Sequence, residues 1–335
     1  MALTVGLVYD LLGTHPRTPG DPPDVDAEYE PEETVALLEA ALARLGHRSV
    51  RVGSPHQLLA ALGKGELPAL DAALSIAEGH GGRNREAWAP VLLDMAGVPT
   101  LGSDALTLSA TLDKGWACRL VEAAGVPVAE GCSVASAAEA ENVELPWGFP
   151  SFVKPLREGT AKGIRPSSRV ESRAALVGEV ARIVGDYAQP ARVERFLPGA
   201  EYTVTVVGHA PPRALPVLQR ALEEGSRIGV HAVERHAPRE GWRTIAPGDL
   251  DPRLEATLAR LALRAFETLE CLDFARVDFR LDADDRPRFL EINPLPTFAP
   301  DGSFGILAEL EGRPAEALLA DVFGEALARI GLGLS

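Results

Sequence analysis

Cysteine is scarce. The three residues Cys118, Cys132 and Cys271 are scattered and odd in number. They make no metal-ligand spacing and no disulfide framework, which fits a reducing compartment. Long apolar runs are also missing, and no uninterrupted stretch reaches membrane-spanning length. The opening "MALTVGLVYD" has no basic n-region and no long apolar h-region, so no signal peptide is read and a cytoplasmic location is expected. Positive charge is in deficit, with 33 Lys and Arg against 48 Asp and Glu and a net charge of −15. Nucleic acid and anionic membranes both need a basic surface, so neither is expected as a partner. That balance still leaves room for a local basic pocket that takes a phosphate ligand. The seven histidines form no H-E-x-x-H pattern, which argues against a zinc protease. Internal repeats and low-complexity segments are absent.

What is present is an ordinary globular composition: 335 residues, 46% apolar and 24% charged, long enough for two or three domains. "LTVGLVYD" reads as a buried first strand, followed by a long loop rich in Pro, Gly and Asp. "EETVALLEAALARLGH" has helical spacing and stops at Gly46, a C-cap residue. "RSVRVG" and "PALDAALSIAEG" supply further strands, and "NREAWAPVLLDMAGVP" reads as a helix despite Pro90. Strands alternating with helices predict a parallel α/β domain ending near residue 105. Beyond it, helices mixed with antiparallel strands predict one or two α+β domains.

The segment "FARVDFRLDADDRPRFLEINPLPT", residues 274–297, alternates polar and apolar residues on both sides of an Asp-rich turn. Folded about Asp284 and Asp285, the hairpin sets Asp278 opposite Glu291 and Arg276 opposite Asn293. Val277, Phe279, Leu290 and Ile292 then share the face to be buried. Facing carboxylates repel, so something positive should sit between them. A hard divalent cation prefers such oxygens, and Mg²⁺ takes one or two carboxylates plus phosphate oxygens. Asp278, Glu291 and Asn293 form that ligand set, with Arg276 placed to hold a phosphoryl group. A solvated polar face with an incidental Asp–Arg pair gives the same pattern.

Five further stretches carry chemistry. Lys154 in "FVKP" sits in an apolar strand, where an unpaired ammonium is costly and a phosphate partner would explain it. Lys114 in "ATLDKGW" stands at a predicted helix start, where a snorkelling surface lysine is the plain alternative. The loop "REGTAKGI", residues 157–164, has two glycines beside Thr160 and Lys162 and can wrap backbone N–H groups around phosphate. It lacks the G-x-x-x-x-G-K-[ST] spacing, and a simple hairpin turn reads equally well. In "VERFLPGAEYTV", Glu194 and Glu201 flank an apolar hinge, with Glu201 an acceptor for ribose hydroxyls. "AEGHGGRN" places glycines before a helix, an arrangement that favours anion binding at its N-terminus.

In order, Lys114, "FVKPLREGTAKGI", "VERFLPGAEYTV" and "RVDF…LEINPLP" resemble the ATP-grasp enzymes. Among these the D-alanine–D-alanine ligase family is the nearer likeness, clear between Gly97 and Phe298. The resemblance implies an ATP-grasp fold, with an N-terminal parallel α/β domain (1–105) and two α+β domains (106–190 and 191–335) that clasp ATP. It implies an ATP-dependent carbon–nitrogen ligase in which a carboxylate becomes an acyl phosphate and an amine attacks it. ATP and Mg²⁺, with Mn²⁺ as an alternative, are the implied cofactors. Small amino acids or carboxylates are the implied substrates, and a homodimer is left open. By position, Lys114 and Lys154 contact phosphate, with Glu158 and Gly159 beside them in the loop. Glu194 and Leu197 meet adenine, Glu201 meets ribose, and Ile164 and Leu290 wall the base. Asp278, Glu291 and Asn293 hold the metal. Arg276, Thr160 (where the family has a loop serine) and His80 stand near the reacting groups.

The departures lie in the amino-acid pocket. The family's glutamate after the first strand is missing, with Asp10 a candidate substitute. "EEGSRIGVHAVERHAPREGW" replaces the usual lid, with His231, Arg235 and His236 as candidate contacts. Thr297 stands where the family has glycine, and Ser303 is displaced by one residue from the serine that holds the second substrate. Three readings stay open: a D-alanine–D-alanine ligase, a ligase for other amino acids or small carboxylates in a specialised pathway, and a catalytically silent nucleotide-binding protein.

Overall fold

The computed structural model describes residues 2–229, 245–248 and 250–333. The candidate lid contacts His231, Arg235 and His236 lie outside the described residues. The described strands form three sheets. The first is parallel, in the order β2-β1-β3-β4, from β1 (Thr4–Val8), β2 (Arg48–Gly53), β3 (Ala72–Ser75) and β4 (Thr100–Leu101). Helix α1 (Glu32–Arg44) opens with Glu32 and Glu33 and ends with Arg44, each sign matching the helix dipole. Gly46, at φ 78°, closes it by donating to the Ala43 carbonyl, as its sequence suggests. Helix α2 (Pro55–Lys64), passed over in the sequence, starts with a reciprocal Ser54–Gln57 capping box. With α3 (Trp88–Met95) it covers one face of the sheet, burying Leu58 and Leu93 against Val8 and Ala73.

Helices α4 (Ala105–Leu112) and α5 (Lys114–Ala123) follow. The second sheet is antiparallel, in the order β5-β8-β6-β7, from β5 (Gly131–Val134), β6 (Ser151–Pro155), β7 (Arg169–Val170) and β8 (Ala191–Arg195). Helices α6 (Ala137–Asn142) and α7 (Arg173–Tyr187) pack on it, with Leu176, Val180 and Ile183 against Val153 and Val193. Strand β8 thus pairs within this sheet although it follows the expected division at residue 190.

The third sheet runs β12-β11-β9-β13-β14, with β10 (Arg213–Ala214) on β9. Its strands are β9 (Glu201–Val207), β11 (Leu218–Arg220), β12 (Ile245–Pro247), β13 (Phe274–Leu281) and β14 (Pro287–Asn293). Helix α8 (Pro252–Thr268) lies under it, and so does α5: Ala117, Cys118 and Val121 share a core with Val204, Val277 and Ala265. Helices α9 (Ser303–Leu310) and α10 (Ala315–Arg329) return to the first sheet, where Phe304, Leu319 and Phe323 pack against Val5, Leu7 and Leu38. Arg329 fixes this return, with two nitrogens each 2.7 Å from Asp273 and a bond to the Thr100 carbonyl.

The β13–β14 hairpin has the expected register at Arg276↔Asn293 and Asp278↔Glu291. A bulge then slips the pairing, so Phe279 faces Phe289 and Leu290 is the extra residue. The slip corrects one expectation. Phe289 and Ile292 enter the core, while Leu290 turns to the opposite side with Glu291. Among the described residues no helix is long and apolar enough to cross a membrane.

Candidate active site

A cleft of about 1560 Å³ is lined by the second and third sheets, the loop 157–164, the N-terminal loop and the segment after β14. Alternation along β13 points Arg276, Asp278 and Arg280 into it, and β14 adds Leu290 and Glu291. Lys154 projects from β6 and Glu194 from β8. Lys114, the first residue of α5, enters at the helix start fixed by the Asp113 cap.

The positive partner expected between Asp278 and Glu291 is present twice. The Arg276 guanidinium lies 3.0 Å from Asp278 and 4.0 Å from Glu291, and Lys114 Nζ lies 3.1 Å from Glu291. Burial would push the Glu291 carboxyl up, but Lys114, Lys154 and Arg276 outweigh it and bring it down to about 2. Thr203 Oγ1 donates to Asp278. The ammonium of Lys154 meets Glu194 at 2.8 Å. Burial alone would lower its pKa, yet Glu194 and Glu291 raise it on balance. Lys114 also donates to the Glu158 carbonyl at 2.5 Å, tying α5 to the loop.

The apolar end of the cleft has Ile164, Phe196, Leu197 and Leu290 on its walls. Glu201, the expected ribose acceptor, sits there between two cations, with Arg220 Nε at 2.9 Å and Arg280 Nη1 at 3.4 Å. The Arg280 guanidinium also lies over the Phe196 ring, 5.3 Å from its centroid.

Four sequence candidates stand off the cleft wall. Asp10 ends buried beyond β1, accepting from the Gly79 N–H at 2.9 Å, a bond that satisfies a buried donor rather than a ligand. His80 is exposed and its ring lies tilted against that of His15, with centroids 4.3 Å apart. Ser303 starts α9 and is buried, so Gly302 faces the cleft in its place. Asn293 Oδ1 accepts from the Leu295 N–H at 2.8 Å. Its amide oxygen keeps a second lone pair for a cation. Thr160 and Thr297 line the cleft, and Glu158 and Gly159 lie at its rim in the loop.

Sequence reasoning missed a buried ionic cluster at this rim. Arg85, only 2% exposed, lies 2.7 Å from Glu28, 3.2 Å from Glu78, 3.8 Å from Glu86 and 3.5 Å from Glu158. Lys162 adds contacts of 3.2 Å to Glu28 and 2.7 Å to Glu158. Burial, strengthened by the neighbouring carboxylates, raises the Glu78 and Glu158 carboxyls and lifts Glu86 to about 7. In Glu28 the cations Arg85 and Lys162 outweigh burial, and its carboxyl is lowered. The one sequence signal was the density of acids in "DPPDVDAEYEP".

This arrangement suits one kind of chemistry. Cations converge on two facing carboxylates next to an apolar slot, and a glycine-containing loop closes one side. The donor set fits a hard cation, because it offers oxygens only and two of them are carboxylate.

Comparison with known proteins agrees. The model of the D-ala D-ala ligase C-terminus matches residues 120–323. A D-alanine–D-alanine ligase of Mycolicibacterium vanbaalenii is 31% identical over 263 residues, covering 76% of this chain and 70% of that protein. The uncharacterised protein y4sG of Sinorhizobium fredii is 29% identical over 285 residues, covering 84% and 83%. Among solved structures, the D-alanine–D-alanine ligase of Bacillus anthracis complexed with ATP superposes with a TM-score of 0.71 at 18% identity, covering 98% of each chain. The VanG D-Ala:D-Ser ligase of Enterococcus faecalis gives 0.72 at 17%, covering 97% of this chain and all of that one. The order of cleft residues, the three-sheet fold and the family match coincide, and the chain belongs to the D-alanine–D-alanine ligase family of ATP-dependent carbon–nitrogen ligases.

Proposed function

We propose that the protein joins the carboxylate of one small substrate to the amine of a second, with Mg²⁺–ATP activating the carboxylate as an acyl phosphate. The observation that carries this reading is the pairing of Lys114 and Arg276 with Glu291 and Asp278, beside Lys154 on Glu194, in one cleft. Asp278, Glu291 and Asn293 would hold Mg²⁺, or Mn²⁺ in its place, which would supply positive charge to the phosphates. Lys114, Lys154 and Arg276 would lie along the phosphates, and Ile164, Leu197 and Leu290 would wall the base near Glu194. Glu201 would accept from the ribose. These are positioning and electrostatic roles, and no side-chain nucleophile is needed. The reading includes a three-part organisation with its second division after β8, in the loop that precedes β9.

The substrate end supports an amino acid or small carboxylate other than a pair of D-alanines. Asp10 is engaged with Gly79, Ser303 is buried, and Glu30, Thr297 and Gly302 line the cleft there. A substrate ammonium or carboxylate without its charged partner loses a bond typically worth about 1.5–3 kcal/mol. Screening pairs of amino acids and small carboxylates for ATP-dependent phosphate release, with product mass, tests both statements. Another pair should exceed D-alanine with D-alanine, and D-alanine outcompeting every alternative would overturn that preference. No Mg–ATP binding at millimolar ligand, by calorimetry on folded protein, would overturn the ligase reading and also its silent nucleotide-binding alternative.

A further inference from the structure

Alternation along β13 brings a third residue, Arg280, to the cleft face two positions beyond Asp278. Arg276 answers to Asp278 and Glu291, whereas Arg280 stands at the apolar end among Ile164, Leu197 and Leu290. A guanidinium is costly there. Arg280 is 7% exposed, and its one ion pair among the described residues is with Glu201. Strand register sets Glu201 opposite both Arg280 and Arg220, so one carboxylate serves two cations. Burial lowers the Arg280 pKa, Glu201 offsets this in part, and Arg227 and Arg169 add positive charge nearby. The Arg280 Nε–H is buried and has no hydrogen-bond partner.

The orientation of the group is nevertheless fixed. Nη1 lies 3.4 Å from Glu201, and Nη2 donates to the Arg227 carbonyl, two ties at the tip of the fork. The guanidinium carbon sits over the Phe196 ring, 5.3 Å from its centroid, and the Arg169 guanidinium lies 4.6 Å from the same centroid. The slot thus holds a surplus of positive charge on a rigid plane, with aliphatic side chains on its other walls. An anion would meet Glu194 and Glu201 on the same walls. A neutral aromatic ring meets no such repulsion, and its face is attracted by a cation.

We infer that Arg280 recognises the base of the nucleotide, its guanidinium forming a face on which a purine stacks, and that this residue sets a preference for purines over pyrimidines. The inference rests on the nucleotide reading of the cleft and is independent of which substrates are joined. Aliphatic walls offer dispersion to any ring. A cationic plane adds an attraction that grows with the size of the π-face, so a purine gains more than a pyrimidine.

The test uses the full chain and calorimetry with Mg²⁺ and three probes: ATP, CTP and ribose 5-triphosphate, which has no base. Wild-type protein should bind ATP at least thirtyfold more tightly than ribose 5-triphosphate and at least fivefold more tightly than CTP. Arg280→Met keeps the length and removes the charged plane. It should weaken ATP about tenfold, leave ribose 5-triphosphate within twofold, and bring ATP and CTP within twofold of each other. Arg280→Lys keeps the charge without the plane and should recover less than half of the lost affinity. In turnover with Arg280→Met, the KM for ATP should rise about tenfold while kcat falls less than threefold. If Arg280→Met does not fold, Phe196→Leu carries the test, since it withdraws the ring beneath the guanidinium and should narrow the ATP-to-CTP ratio at least threefold. Equal weakening of ATP and ribose 5-triphosphate, or full recovery in Arg280→Lys, would overturn the stack and leave Arg280 as charge balance for Glu201. Wild-type protein that binds ribose 5-triphosphate as tightly as ATP would overturn it outright while the ligase reading stands. The expected binding pattern without phosphate release from any substrate pair would uphold the stack and sink the ligase reading.

Discussion

At Glu291 a single carboxylate answers to two partners. In the free protein Lys114 and Arg276 neutralise it, so the repulsion expected between Asp278 and Glu291 is already relieved. Replacing it with glutamine therefore removes a cation's partner rather than a strain. Glu291→Gln should lower the metal-free melting temperature by only a degree or two, because the side chain is 24% exposed. Magnesium-dependent turnover should fall about a hundredfold or more, since a hard ion loses an anionic ligand. Melting without metal and turnover across a magnesium titration separate the effects, and normal turnover with a marked loss of stability would remove the metal assignment. Glu86 makes a pH prediction. Burial lifts its carboxyl from the usual 4.5 to about 7, so the folded protein holds a proton that the unfolded chain releases. The resulting penalty is absent below about 4.5, grows as pH rises, and is complete above about 7. Glu86→Gln imitates the protonated form and should gain on the wild type between pH 5 and pH 8, by an amount on the order of 1–3 kcal/mol. Denaturant unfolding at the two pH values measures it, and equal differences at both would contradict the assignment.

The elements that could be read in advance are those whose signal is local. The register of β13 and β14 followed from alternation around an Asp-rich turn, and α1 from its spacing and Gly46. Alternation also put Leu290 on the core face, and there it failed. A bulge is a choice between two packings, here Phe289 or Leu290 against Phe279, and ring packing at 6.1 Å decided for Phe289. Helices α2 and α9 went unread, though each has a definite cause, a capping box in one and burial of Phe304 and Leu307 in the other. Lys154 was legible because an ammonium in an apolar strand demands a partner. The partner itself was not, since Lys154 finds Glu194 only through pairing of β6 with β8. Glu28 was least legible of all. Its meaning depends on Gly159, 131 residues away, and on Arg85, 57 residues away. No periodicity in a Pro- and Asp-rich loop encodes such contacts.

Across the whole molecule, the four-phenylalanine knot of Phe274, Phe298, Phe304 and Phe323 joins the first sheet to α9 and α10. A fragment ending at residue 105 would expose the face that α10 covers and should not form a cooperative fold, as measured by circular dichroism and hydrogen exchange. Protection of β1 and β3 in that fragment equal to the intact protein would contradict this. The arrangement also has a temporal side. During synthesis Phe323 and Arg329 follow β1 by some three hundred residues. The layer that holds β1 waits, half-covered, for that later segment. Throughout that interval Leu7 and Leu74 have no lasting cover on one side, so this sheet is where a nascent chain would recruit a chaperone or find a wrong neighbour.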